Sequence, residues 1–88
     1  MDTLAENLKV LSDPTRLRIL ALLSKERALV SSLIATKLHI RPSVASHHLR
    51  ILSYNGFIIG QKNGRFCMYM LNREKLTGVS DELRALIL

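Results

Sequence analysis

Two prolines and two Asn-Gly pairs divide this chain more firmly than any other feature of its 88 residues. Proline has no amide proton and clashes with the preceding turn, so a regular helix accepts it only in its first turn. Pro14 follows Asp13, a carboxylate able to cap a helix, and precedes the apolar run Leu17-Arg18-Ile19-Leu20-Ala21-Leu22-Leu23. That arrangement predicts a helix from residue 13 to about 24, apolar on nearly all sides and so surrounded by others. Pro42 opens another helix, and Asn55-Gly56, residues that tolerate positive φ, stop it. Asn63-Gly64 is the preferred two-residue hairpin turn. It separates residues 57–62 from 65–71, two runs rich in β-branched, aromatic and long apolar side chains.

Around these marks the rest falls into place. Leu4, Leu8 and Leu11 recur at helical spacing and give a short amphipathic helix ending near Ser12. Val30 or Ser31 opens a short third helix with Leu33, Ile34 and Leu38 inward, followed by a tight turn through His39, Ile40 and Arg41. From Arg73 onward Leu76, Val79, Leu83 and Leu86 form a heptad-like stripe on a last helix, which is expected to kink or begin at Gly78. The expected fold is mainly α with a β-hairpin: about five helices in one domain, residues 1–88. A chain this short buries only roughly 60% of its unfolded surface, which favours association with a second copy. The first and last helices supply the matching stripes for a homodimer: Leu4, Leu8 and Leu11 against Leu76, Val79, Leu83 and Leu86.

Composition removes several alternatives. With 48% hydrophobic and 23% charged residues the chain is of ordinary globular type. Its longest apolar run, residues 66–71, is far too short to span a bilayer, so no membrane partner is expected. A single cysteine, Cys67, excludes an internal disulfide and a four-thiolate zinc site, which points to a cytoplasmic protein. No cofactor is expected, and no catalytic residue set can be assigned, since His47 has no carboxylate nearby in the sequence to orient it.

The net charge is +6, and its placement says more than its size. Between Glu26 and Glu74 there is no acidic residue, while the same stretch holds seven Lys and Arg and all three histidines. On the fourth helix Val44, His48, Leu49 and Leu52 share one side, whereas Ser43, Ser46, His47 and Arg50 share the other. One face packs; the other is polar and acid-free. A helix reached by a short turn and followed by a basic-tipped hairpin describes a winged helix-turn-helix, and its expected partner is double-stranded DNA. Arg50 could read a guanine in the major groove, Ser43, Ser46 and His47 could address base edges or phosphates, and Lys62 and Arg65 could reach the backbone or minor groove.

The segments Leu11-Ser12-Asp13-Pro14-Thr15-Arg16-Leu17-Arg18-Ile19-Leu20 and Ser43-Val44-Ala45-Ser46-His47-His48-Leu49-Arg50-Ile51-Leu52 resemble the ArsR/SmtB family of repressors, as do Gly64-Arg65 and Tyr69-Met70-Leu71-Asn72. The resemblance implies a homodimeric repressor that releases its operator when an inducer binds. By motif position it implies a DNA face of Ser43, Ser46, His47 and Arg50 and a wing of Lys62, Asn63, Gly64 and Arg65, with Arg41 on the flank. The chain departs from the pattern at His39, where glycine is common, and at Arg41, where a serine cap is common. Its metal sites are also expected to be missing. Ala28-Leu29-Val30-Ser31-Ser32 replaces the cysteine pair near the third helix, and residues 73–88 contain no histidine.

Three features keep two readings each. His47 is expected at the DNA and His48 packed. Cys67 reads as a small buried hydrophobe, with redox sensing as its sharper alternative. The hairpin's second face, Phe57, Ile59, Phe66, Met68 and Met70, is apolar and is expected to be covered by a helix of the same chain or its mate, or by a protein partner or apolar effector. If that face is the functional one, the chain is a protein-interaction module and its basic surface serves solubility.

Overall fold

The computed structural model describes residues 3–88. Its first helix, α1 (Leu4–Leu11), starts at Thr3, whose hydroxyl accepts the Glu6 amide proton at 3.1 Å. Helix α2 (Pro14–Lys25) starts as the sequence implies, with a carboxylate oxygen of Asp13 accepting from the Arg16 amide at 3.0 Å and Pro14 in the first turn. A two-residue strand, β1 (Leu29–Val30), then leads into α3 (Ser31–Leu38) and α4 (Pro42–Tyr54). Strands β2 (Ile58–Asn63) and β3 (Phe66–Leu71) form the hairpin, and α5 (Arg73–Ala85) closes the chain. The sheet is antiparallel with order β1-β3-β2.

The α3–α4 turn is held at His39. Its backbone is left-handed, φ 56° and ψ 44°, where a Cβ is strained. The Ile40 amide donates to the Ala35 carbonyl at 3.0 Å and the His39 amide to Thr36 at 3.2 Å, the pair of bonds that makes a Schellman ending. From α2, the Arg18 guanidinium donates to the Leu38 carbonyl at 2.8 Å and satisfies one more carbonyl at the end of α3. Helix α4 then begins at Arg41, which offers no side-chain cap.

The core lies between α2, α3, α4 and the sheet, with Ile19, Leu23, Ile34, Leu49, Leu52, Phe57 and Ile58 fully enclosed. Asn72 ties the far side together. Its amide donates to the Phe57 carbonyl at 3.0 Å, its side chain donates to Gly56 at 2.8 Å, and its side-chain oxygen caps α5 at the Lys75 amide.

Several expectations are corrected. The strand β1 has no counterpart in the sequence reading; Leu29 pairs with Tyr69 and Val30 with Met68. The hairpin turn is Gly64-Arg65, not Asn63-Gly64, since Asn63 already pairs with Phe66. Gly64 has φ 65° and is the only residue of the turn with positive φ, the pattern of a type II′ turn with glycine first. Opposing residues thus differ by two positions from the expected pairing, and a shift of two leaves each side chain on its expected face. Helix α5 runs through Gly78 without interruption. Val44 and Leu33 are exposed, and the buried stripes are Ala45-Leu49-Leu52 on α4 and Ile34-Ala35-Leu38 on α3. In both helices a small alanine takes the inward position and allows closer approach of the neighbours.

Replacing His39 with glycine should raise stability by about 1 kcal/mol, because the left-handed conformation then costs no Cβ strain. Denaturant unfolding should show a higher midpoint at unchanged slope; a lower midpoint would mean that the imidazole stabilises the turn.

Candidate nucleic-acid interface

Burying Ala45, Leu49 and Leu52 turns Ser43, Ser46, His47 and Arg50 outward, and all four are exposed. Arg41 is exposed just ahead of them. Lys62, Asn63, Gly64 and Arg65 are exposed together at the end of the hairpin. Arg65 of the second group lines an open cleft of about 320 Å³ together with Phe66 at the hairpin tip, Pro42 at the start of α4, and Ser31 and Ser32 at the start of α3. Among the described residues the close ion pairs lie elsewhere, at Asp13–Arg16, Lys37–Glu26 and Asp13–His48, so nearby carboxylates do not neutralise the cations of this face.

His48 is half-buried as expected and forms part of the scaffold. Its Nδ1 lies 3.8 Å from Asp13 Oδ2, which is also 3.9 Å from Arg16 Nε, and neither nitrogen has a hydrogen-bond partner among the described residues. The Arg16 amide beside Asp13 holds its carboxyl below the ordinary value, with the charges of His48 and Arg16 adding to that and partial burial opposing it. His47 stacks edge-on against His48, ring centres 5.3 Å apart, and remains at the surface.

At the base of the wing, Tyr69 and Cys67 sit over Gly60. A Cβ on Gly60 would lie 3.0 Å from Cys67 Sγ and 3.2 Å from the Tyr69 ring, so glycine makes room for both. Burial pushes the Tyr69 phenol above its ordinary value, the neighbouring Cys67 raises it further, and the charge of Arg50 opposes them. The phenol is therefore neutral at pH 7, and Arg50 of α4 is near enough to the sheet for its field to be felt there. Cys67 is half-buried. No three His, Cys, Asp or Glu side chains converge among the described residues.

The apolar stripes at α1 and α5 divide. Val79 is 4% exposed and belongs to the core of its own protomer, while Leu4, Leu11 and Leu76 pack partly against that core. Leu8 and Leu83 are exposed, and Leu86, 73% exposed, lies just past the end of α5. Only this second group presents free apolar surface. The second hairpin face divides as well: Phe57 is in the core, Met68 and Met70 are half-buried, and Ile59 and Phe66 are exposed at 48% and 62%. A cover over the whole face, as expected from sequence, is not provided by the chain's own helices.

Residues 13–59 match the model of the bacterial regulatory protein, arsR family. The chain belongs to the arsR family. It is 41% identical over 76 residues to the arsenical resistance operon repressor of Staphylococcus xylosus, covering 86% of this chain and 72% of that protein. An ArsR-like transcriptional regulator from Rhodococcus sp. RHA1 superposes with a TM-score of 0.84 at 29% identity, over 94% of this chain and 77% of the other. The homodimeric winged helix-turn-helix DNA-binding domain of a Mycobacterium bovis protein shares the fold, with a TM-score of 0.72 at 24% identity over 90% of this chain and 72% of that one. Like its arsR relatives, the chain is a DNA-binding transcriptional regulator with a winged helix, not an enzyme.

Because the folded carboxyl of Asp13 titrates below its ordinary value of 3.8, its contribution to stability is complete above that value and is lost as pH falls through the lowered one. Asp13→Asn, which keeps a capping oxygen without the charge, should flatten the acid limb of unfolding below about pH 4. An acid limb identical to wild type would show that the charge contributes nothing.

Proposed function

We propose that this chain is a homodimeric repressor that binds a roughly palindromic operator in duplex DNA, in the cytoplasm, and that lacks the family's usual metal-sensing sites. The observation that carries this reading is the exposed, acid-free face of α4, which follows Pro42 in a cleft that Arg65, at the basic tip of the hairpin with Lys62, also lines. In the major groove Arg50 presents a bidentate donor to a guanine edge, while Ser43, Ser46 and His47 reach base edges or phosphates. Arg41, Lys62 and Arg65 neutralise phosphates, and Asn63 and Gly64 shape the tip that reaches the backbone. A two-fold pair would set two α4 helices at half-sites about one DNA turn apart or a multiple of it. Leu8, Leu83 and Leu86 are the exposed apolar residues proposed to meet across the two-fold, with Leu4, Leu11 and Leu76 behind them. Val79 supports the interface only from within the core.

Arg50→Ala should cost about 1 to 3 kcal/mol at particular base pairs, whereas Lys62→Ala should weaken all sequences alike and lower the salt slope by about one. Fluorescence anisotropy on duplexes taken upstream of the chain's own coding sequence, at several salt concentrations, reads both. Intact affinity in both variants would overturn the assignment, and weak, nonspecific attraction in the wild type would instead favour a protein-docking use of the hairpin.

Leu83→Glu should give a monomeric or unfolded protein that loses operator affinity at the same time, since an unpaired charge buried in an interface costs several kcal/mol. Sedimentation that finds the variant still dimeric would place the interface elsewhere. Zinc, cadmium and arsenite should leave the DNA complex intact, because neither the α3 region nor α5 carries the family's usual ligands. Stoichiometric metal binding with loss of DNA affinity would refute that. Cys67→Ser should leave any response to peroxide unchanged; a response abolished by this change would assign redox sensing to Cys67.

A further inference from the structure

Phe66 is the feature of this face that the reading above does not use. It is the first residue of β3, follows the Gly64-Arg65 turn and stands directly opposite Asn63, and it is 62% exposed. An aromatic ring left in water at a hairpin tip adds little to the fold, and its exposed polar partner gives it no apolar neighbour across the strand. Phe66 is among the residues lining the cleft that runs from Arg65 to Pro42, and strand alternation puts it on the hairpin face of Ile59, Met68 and Met70, opposite that of Cys67 and Tyr69.

We infer that Phe66 is an apolar DNA contact of the wing, its ring packing against deoxyribose in the minor groove beside the half-site read by α4. This inference rests on the duplex-binding function proposed above. The occupant follows from the surroundings. Arg65 adjoins Phe66, Lys62 lies one residue from its cross-strand partner, Arg41 precedes the other wall of the cleft, and the chain has no acidic residue between positions 26 and 74. A polyanion suits that rim, whereas an apolar protein surface would have to desolvate three cations. With α4 in the major groove, the tip of the wing meets the neighbouring backbone and minor groove, where proteins commonly place apolar side chains among basic ones. The ring would then supply affinity that involves no phosphate neutralisation and releases no counterion.

That distinction makes the contact measurable. Phe66→Ala should weaken binding to the upstream duplex roughly tenfold at every salt concentration, with an unchanged slope of log affinity against log salt. Arg65→Ala should lower that slope by about 0.9. Exposure of the ring predicts an unchanged unfolding midpoint for Phe66→Ala, which separates lost contact from lost fold. The chain has no tryptophan, so Phe66→Trp places a single fluorophore at the tip, and its emission should be quenched as duplex saturates the protein. Wild-type affinity in Phe66→Ala, a reduced salt slope in that variant, or tryptophan emission unmoved at saturation would each overturn the inference while leaving duplex binding itself in place. A wild-type protein without salt-dependent duplex binding would remove the underlying function instead.

Discussion

Burial of one narrow stripe on α4 sets the geometry of everything outside it. Ala45, Leu49 and Leu52 are enclosed almost completely, and a helix that commits those positions inward must send Ser43, Ser46, His47 and Arg50 outward. The alanine matters as much as the leucines, because its small side chain lets α4 lie close to its neighbours and thereby fixes how far the polar face projects. Rotating α4 by one residue to bury Val44 would move that face by about 100° and separate it from the wing. The hairpin is attached at the same base: Phe57 and Ile58 enter the core directly after α4, and Asn72 bonds back to Gly56 and Phe57 at the far end of β3. Helix α4 and the hairpin are therefore joined through the same core.

A second constraint joins α4 to α2. Asp13 caps α2 through the Arg16 amide and also lies within 4 Å of Arg16 Nε and His48 Nδ1. One carboxylate thus serves the start of one helix and the middle of another. The contacts to the two side chains are too long for hydrogen bonds; the Arg16 amide does most to hold the Asp13 carboxyl below its ordinary value, and His48, although adjacent to His47, packs beside this cap as part of the scaffold. Two neighbouring histidines on a helix point about 100° apart, and here one addresses solvent while the other faces the cap.

Much of this was legible in the sequence because it depends on local rules. Prolines, caps and helical periodicity located the helices, and alternation assigned the hairpin faces correctly even though the turn was placed one residue too early. The faces survived because opposing residues moved by two. What was not legible depends on tertiary packing. Leu29 and Val30 are too few to show a period, and they become a strand only because β3 offers them an edge. The choice between Val44 and Ala45 as the inward residue is set by the space available, which hydrophobicity does not report. Phe66 lies on the apolar face that alternation gives it, and what the sequence does not report is that the tip leaves it exposed while Met68 and Met70 are half-buried.

Helix α5 shows the same limit in a form with consequences for the whole molecule. Its stripe of Leu76, Val79, Leu83 and Leu86 looks uniform in sequence, yet the structure spends Val79 and much of Leu76 on the chain's own core and leaves Leu83, Leu86, Ile87 and Leu88 in water. The helix is therefore a closing element at one end and an open apolar surface at the other. A second copy covering that open end, as proposed, would press on the same helix that seals Val79 over the core, so pairing and core closure would be coupled through a single rigid rod. For a domain of this size, which buries only a modest share of its surface alone, such coupling would make the proposed dimerisation a source of stability as well as of operator symmetry.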